Sequence, residues 1–462
     1  MADNNSIPLE LGTEKIGRLL KQYALPAIIA QTASSLYNMV DSIFIGQGVG
    51  PLAISGLAVT FPLMNLSTAF GTLVGAGAAT MLSVLLGQKN YKAANKVLGN
   101  VVSLNIIIGL VFMAISLIFI DPILYFFGAS ENTLPYAKEY MTIILIGNVI
   151  THLYFGLNAA MRSSGFPKKA MLLTIFTVVF NTLLDPIFIF AFDLGIAGAA
   201  WATVLAQTVA MILVMSHFSN KSRAFHFEKG IFKLDLRVAK DSLAIGMGPF
   251  LMNAAACLVT LFINQQLRDY SGDLGIGAYG ICNRFIFMFI MICMGLNQGM
   301  QPIAGYNYGA KQYSRVKEVF WQTAKMGTIV TTICFAIGMF IPRLAAGIFT
   351  HDEALLDMSA EGMRILTIGF PIVGFQMIGT NFFQSLGMVK KSIILSLSRQ
   401  LLFLLPLLYA LPLWHGANGV WMSFPVSDVL SALLTAILLR RLFKKFNQLK
   451  DGEESSILGS HI

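Results

Sequence analysis

Charge is what this sequence has least of. Asp, Glu, Lys and Arg together make up 12% of its 462 residues, about half of the ~25% that soluble domains carry. With 56% hydrophobic residues, that scarcity excludes an ordinary soluble protein. Strands of about ten alternating residues are also missing, which argues against a β-barrel. Only four cysteines occur, Cys257, Cys282, Cys293 and Cys334. They lie in apolar stretches of the second half without metal-ligand spacing and read as small packing residues. There is no Gly-x-x-x-x-Gly-Lys-Ser/Thr loop to hold ATP phosphates, and no Gly-x-Ser-x-Gly or His-Glu-x-x-His run. No Asp-x-x-Asp pair lies in a loop large enough for Mg²⁺-assisted transfer. The reading is therefore no enzyme and no organic cofactor. No short cleavable leader pattern precedes the first apolar run, which is expected to serve as the insertion signal itself.

What the chain does have is long apolar stretches, such as Val101–Ile120. About 20 such residues cross the ~30 Å hydrocarbon core as a helix. Twelve spans are predicted. In the first half they fall near 17–46, 52–86, 94–120, 135–160, 169–192 and 196–217; in the second, near 239–267, 274–305, 317–341, 358–385, 392–412 and 419–440. The second and eighth exceed a simple vertical crossing. The fold class is an all-α integral membrane protein, twelve transmembrane helices in two parallel pseudo-symmetric six-helix lobes. The expected divisions are an N-terminal tail at 1–16, lobes at 17–217 and 239–441, a linker at 218–238 and a C-terminal tail at 442–462.

The net charge of +9 follows topology. Lys and Arg crowd alternate loops, as at Lys89, Lys92 and Lys96, at Lys168 and Lys169, at Lys390 and Lys391, and at Arg440, Arg441, Lys444 and Lys445. The intervening loops hold few positives and several acids. This pattern places the basic loops, the linker and both termini in the cytoplasm of a cell-membrane protein. The basic balance then means anionic lipid, not nucleic acid. Nothing in the spans demands a dimer, so a monomer is expected.

The two halves repeat one another at an offset of about 222. Gly87-Gln-Lys-Asn-Tyr91 falls on Gly309-Ala-Lys-Gln-Tyr313, Gly165-Phe-Pro-Lys-Lys169 on Gly387-Met-Val-Lys-Lys391, and Gly195-Ile-Ala-Gly198 on Gly416-Ala-Asn-Gly419. Secondary transporters are often duplicated in this way. In the same alignment Asp41 meets Asn264, and Asp185 meets Leu407. The scaffold is shared and the charge is not, which assigns the charge to function.

Asp41 and Asp185 each lie within a span, roughly 7–12 Å below its outer end at 1.5 Å per residue. Thr203 reaches the same depth on the sixth span. Asn181 shares a helix face with Asp185, and Pro186 cannot donate to the carbonyl of Thr182. Two carboxylates, an amide oxygen, a hydroxyl and a freed carbonyl form an all-oxygen set suited to a hard cation such as Na⁺. Two nearby carboxylates also resist double ionisation in low dielectric, so the pair would serve H⁺ equally well. An intramembrane carboxylate costs at least ~2.5–3.5 kcal/mol at mid-span and points to function by default. Tyr37 is four residues from Asp41 and placed to support it by a hydrogen bond; Gln31 stands on the same span. Met64, Met161 and Met288 are candidates to line an adaptable substrate cavity. Arg284, Arg399 and Asp428 also lie within spans, where pairing of Asp428 with one arginine and a transport role both remain open. His152 reads as a hydrogen-bonded core histidine.

Pro26, the run Asn38-Met-Val-Asp-Ser-Ile-Phe-Ile-Gly46, Asn181 with Asp185-Pro186, and the Gly87-Gln-Lys89 loop resemble the multidrug and toxic compound extrusion (MATE) transporters. The resemblance covers nearly the whole chain. It implies two six-helix lobes, a central cavity open alternately to either side, and export of organic cations or drugs driven by Na⁺ or H⁺ entry. It further implies a first-lobe cation site of Asp41, Asn181, Asp185 and Thr203, and a bend of span one at Pro26. One branch of the family keeps acidic coupling residues on spans seven and ten. This chain has Asn264-Gln-Gln266 on span seven and no acid in the interior of span ten, so it resembles the branch with a first-lobe site. The alternative is a lipid-linked oligosaccharide flippase of the same duplicated plan, which would need several cavity Arg and Lys to hold pyrophosphate.

Overall fold

The computed structural model describes residues 10–221, 225–227, 230 and 233–453, with the side chains of all but 36–39, 46, 47, 51 and 273. The long helices in chain order are α1 (Ile16–Gly48), α2 (Pro51–Gly87), α3 (Tyr91–Ile118), α4 (Leu134–Ile146 then Asn148–Ser163), α5 (Pro167–Pro186), α6 (Gly195–Ser219), α7 (Leu236–Gly272), α8 (Leu274–Gly309), α9 (Tyr313–Phe340), α10 (Glu353–Thr367 then Phe370–Ser385), α11 (Val389–His415) and α12 (Ala417–Phe446). Among the described residues nine helices are long and apolar enough to cross a membrane, or eleven with the two bent pairs counted as one span each. The fold is thus all-α and multi-span. The expected count of twelve exceeds this by the 33-residue α1, which includes side chains outside those described.

The ends of the helices explain themselves locally. Asn90 caps α3 by accepting from the Ala93 amide at 3.2 Å, and Asp352 caps α10 by accepting from the Leu355 amide at 2.8 Å. α7 opens at Leu236, within the expected linker.

The duplication is written in the backbone. Lys89 and Lys311 both take left-handed φ, 59° and 58°. Gly50 and Gly272, Gly165 and Gly387, and Gly195 and Gly416 are likewise positive in φ. α4 bends by 53° beside Gly147 and α10 by 55° beside Gly369. These pairs recur at the spacing of the sequence repeat.

The chain divides into two compact units, one built on Ile29–Phe250, the other on Leu251 onward together with Glu14–Ile28. The first unit therefore includes the start of α7, where Leu73 and Gly77 of α2 pack on Gly246 and Ser242. The second includes the start of α1, where Gly295 and Gly299 of α8 pack on Ile28 and Ala24. The changes of unit within α1 and α7, after Ile28 and Phe250, follow Pro26 and Pro249 by two residues and one.

Candidate cation site

The site is assembled in the first unit from α1, α5 and α6. Asn181 and Asp185 sit one turn apart on α5, and the Asn181 Nδ2 donates to Asp185 Oδ1 at 3.2 Å. The same Nδ2 lies 3.4 Å from Thr203 Oγ1 on α6. Asp41 of α1 is within electrostatic reach of Asp185. All four side chains are buried.

Local backbone chemistry sets this arrangement. Pro186 ends the α-helical part of α5, and the chain continues as a π-helical turn, Ile187–Ala191, with the Phe192 amide donating to the Ile187 carbonyl at 2.9 Å. Such wide turns re-aim the residues beside them and recur at functional sites. α6 approaches this turn closely because Gly198 has no side chain. A Cβ there would stand 2.7 Å from the carbonyl carbon and oxygen of Phe188 and 3.0 Å from the Ile189 nitrogen. Ile45 and Ile189, four residues beyond Asp41 and Asp185, join Ile196, Ala199 and Ala200 in an apolar cluster. A dry plug therefore lies one turn past both carboxylates.

The hydrogen-bond account of the site is incomplete in one direction only. Among the described residues, Asp41 Oδ1, Asn181 Oδ1 and Asp185 Oδ2 are buried and have no hydrogen-bond partner. Each is an acceptor. Leaving one such group unpaired costs about 1–3 kcal/mol, more for a charged one. Three unpaired oxygens beside a threonine hydroxyl fit a small cation or a proton and disfavour an anion. Among the described residues no three His, Cys, Asp or Glu gather as a metal centre.

The other sequence candidates lie elsewhere. Pro26 is inside α1, in the stretch belonging to the second unit. Pro186 stands at the mouth of the π turn. The side chain of Tyr37 is outside those described. Gln31 is half-buried on α1. Met64 accepts the Thr60 hydroxyl at 3.6 Å and packs among two apolar clusters. Met161 is buried, whereas Met288 is 52% exposed on α8.

The second unit has no counterpart of the acid pair, since Asn264 and Leu407 occupy the repeat positions. It holds instead an ion pair: Arg399 Nε donates to Asp428 Oδ1 at 2.7 Å, with Asp428 2% exposed. Arg399 sits in a second π-helical turn, Ser398–Leu404, and its carbonyl accepts the Ser427 hydroxyl at 2.7 Å. Asp428 also packs against the bend of α10, where a Cβ on Gly369 would lie 3.0 Å from its Oδ2. Arg284 is exposed on α8. In the first unit, Ser67 bridges Asn148 and His152 beside the bend of α4, and the His152 Nε2 lies 2.9 Å from the Ser67 carbonyl. Sequence reasoning missed the two bends and this network. The shared repeat position of Gly147 and Gly369 is the signal that marks the bends. Cys282 donates its thiol to the Ser359 carbonyl at 3.2 Å, and all four cysteines are free.

Comparison with known proteins agrees with this architecture. A family model described as MatE matches residues 26–187 and again 247–410, once per repeat. The multidrug export protein MepA of Staphylococcus aureus (strain NCTC 8325 / PS 47) is 27% identical over 439 residues, 94% of this chain and 97% of MepA. The solved structure of the MATE multidrug transporter DinF-BH is 36% identical, with a TM-score of 0.87 over 95% of this chain and 98% of that one. A MATE in the bent conformation reaches a TM-score of 0.91 over 96% of this chain and 99% of that one; at 22% identity it speaks for the fold alone. With both repeats matched and the whole architecture shared, the chain belongs to the MatE family and is a multi-pass membrane transporter, not an enzyme.

Proposed function

We propose that this protein exports organic cations or drugs across the cell membrane by antiport with Na⁺ or H⁺, which bind at Asp41, Asn181, Asp185 and Thr203. The observation that carries the reading is the set of three buried acceptor oxygens in the first unit that find no donor among the described residues. Among the described residues the chain supplies acceptors there and no Lys or Arg, so a cation or a proton would complete the set. The names of MepA and DinF-BH, a multidrug exporter and a multidrug transporter, support the same substrate class.

The coupling is thermodynamic. Ion and substrate each bind the two states of the carrier with different affinity, and each therefore shifts the same equilibrium. From the outward-open state the ion neutralises the acid pair and α1 repacks, bending at Pro26, which loosens the hold on a cationic substrate. Two features support α1 as the moving element: Asp41 shares it with Pro26, and its membership of the two units changes two residues past that proline. Each charge that enters down 100 mV supplies ~2.3 kcal/mol, enough for a several-tens-fold substrate gradient. In this reading α1 is the twelfth span, both termini are cytoplasmic, the lobes meet at 218–238, and the working unit is a monomer.

The test is purified protein in liposomes with a fluorescent organic cation, first under a Na⁺ gradient and then under a pH gradient. Wild type is expected to move the dye with one of the two, and Asp41→Asn and Asp185→Asn to abolish that coupling while remaining folded. Normal gradient-driven export by both variants would refute the assignment.

A further inference from the structure

Where α4 and α6 end and α5 begins, the first unit has a groove of about 270 Å³ lined by Met161, Lys169, Leu172, Leu173, Leu213 and His217. Its polar and apolar residues are sorted by depth. Lys169 is two residues past the start of α5, and His217 two before the end of α6. Leu172, Leu173 and Leu213 lie three or four residues further in, roughly 5 Å deeper at 1.5 Å per residue. Leu172 is 58% and Leu213 43% exposed. Phe176, Val179 and Leu183 follow Leu172 on α5 at helical spacing and are exposed as well. On a spanning helix an apolar stripe of this kind meets acyl chains.

The mouth is cationic, and one ring organises it. The Lys169 ammonium stands 5.1 Å from the centroid of Phe166, and the His217 ring meets the same Phe166 edge-on at 4.8 Å. Phe166 thus ties both nitrogen-bearing side chains to one place. Lys168 adjoins on α5, and Lys221 follows the end of α6 by two residues; both are exposed. No Asp or Glu occurs from 140 to 184 or from 194 to 227, so α4, α5 and α6 bring no carboxylate to this end. Such a mouth attracts an anion and repels an organic cation.

The repeat shows that the lysine alone does not make the groove. Lys169 recurs as Lys391, whose ammonium lies 5.4 Å from the centroid of Phe383, the counterpart of Met161. Phe166 is replaced by Met388, and His217 by Leu438. The second half keeps the basic loop that topology requires but not the second nitrogen group or the ring that gathers the two.

We propose that this groove binds an anionic phospholipid, with its phosphate on Lys169 and His217 and an acyl chain over Leu172, Leu173 and Leu213. Basic pockets between spanning helices at the membrane surface suit such headgroups. The basic-loop pattern puts the lipid in the cytoplasmic leaflet. It would join the far ends of the two helices that carry Asn181, Asp185 and Thr203, and its binding does not depend on what the protein exports.

The test is thermal unfolding of the full chain, purified in an uncharged detergent and titrated with dioleoyl phosphatidylglycerol, dioleoyl phosphatidylcholine or inorganic phosphate. Wild type is expected to melt higher with phosphatidylglycerol, saturably, and to respond to neither other probe. Lys169→Gln and His217→Leu should each raise the half-saturating lipid fraction about five-fold, and the double variant about ten-fold or more. Lys391→Gln, the repeat control, should leave it in place. If the double variant does not fold in lipid-free detergent, the single variants decide the comparison. Half-saturation unchanged in the variants, or raised equally by Lys391→Gln, would overturn the inference and leave general attraction to basic loops. A shift produced by phosphate alone would mean a free-anion site, and an equal shift with phosphatidylcholine would mean chain packing without headgroup recognition. Either result, or no shift with phosphatidylglycerol, would also overturn it.

Discussion

Replacing Gly198 with alanine tests whether the cation site depends on the close approach of α5 and α6. The added Cβ would stand 2.7 Å from the Phe188 carbonyl, where ordinary contact begins at 3.4 Å. The obstacle is backbone, which has no rotamer to turn aside, so the helices must part by about 0.7 Å. Overpacking of this kind costs about 1–3 kcal/mol. The same retreat takes Asn181 Nδ2 and Thr203 Oγ1 from 3.4 Å to roughly 4 Å, past hydrogen-bond range. Ligand distances at a metal hold to about ±0.2 Å, so Thr203 drops out of the set. The expected result is a rise of about ten-fold or more in the ion concentration that half-saturates dye export, equivalent to about 1.4 kcal/mol. The chain contains its own control. Gly419 is the repeat counterpart, and a Cβ there would lie 2.5 Å from the Leu411 carbonyl carbon and 2.6 Å from the Pro412 nitrogen. Gly419→Ala should destabilise the protein comparably in thermal unfolding yet leave the half-saturating ion concentration in place. Equal shifts in both variants, or no shift in Gly198→Ala despite lost stability, would refute the reasoning.

Asn181→Leu keeps the branch at Cγ and removes both the donor to Asp185 and one of the three unpaired oxygens; a bond to a carboxylate is worth about 1.5–3 kcal/mol, so ion half-saturation should rise by about ten-fold or more, and an unchanged value would exclude Asn181 from the site. Lys89 and Lys311 hold left-handed φ at 59° and 58°, where a side chain costs about 1 kcal/mol or more and glycine does not. Lys89→Gly and Lys311→Gly should each stabilise the protein by about 0.5–1 kcal/mol in thermal melts and add when combined; a loss of stability would show that each lysine makes contacts worth more than its strain. Gly147→Ala brings a Cβ to 2.5 Å from Val204 Cγ2, one residue past Thr203, and should reduce ion-driven export more than it reduces the melting temperature of the folded protein; export at the wild-type rate would show that the bend of α4 absorbs the methyl group.

Much of this architecture is legible in the sequence because the membrane leaves few options. An apolar run of span length must become a helix, since lipid satisfies no backbone group, and alternate basic loops give the expected sense of each crossing. The acid site is legible for the same reason: a carboxylate in such a run has no ordinary surface to occupy. Asn181 and Asp185 could be placed together from their spacing alone, and the structure sets them 3.2 Å apart. What could not be read is what depends on contacts between distant segments. Asp428 had two arginines to choose from, and only the packing of α11 on α12 selects Arg399. The two π turns are equally hidden. One follows Pro186, which hints at it, but Ser398–Leu404 begins with no proline or glycine to announce a departure from the α-helix. The start of α1 belongs with the second unit and the start of α7 with the first, an exchange that hydropathy does not encode.

Comparing the repeats separates what the scaffold requires from what the work requires. The positive-φ turns at Lys89 and Lys311, the helix bends beside Gly147 and Gly369, and the close approaches at Gly198 and Gly419 recur in both halves. These are backbone features, and a duplicated fold must keep them to keep its packing. The ionisable groups inside the spans do not recur. Asp41 and Asp185 have Asn264 and Leu407 as partners, and Asp428 has Gln207. If these charges served stability, both halves would have the same use for them, because their backbones pose the same packing problem. A buried ion pair adds little stability over well-packed apolar residues, and an unpaired acid subtracts from it. The asymmetry therefore has no structural benefit to explain it. On the proposed function the acids of the first unit are held for the ion that passes, and exchanging them between the repeats should disturb gradient-driven export far more than the melting temperature.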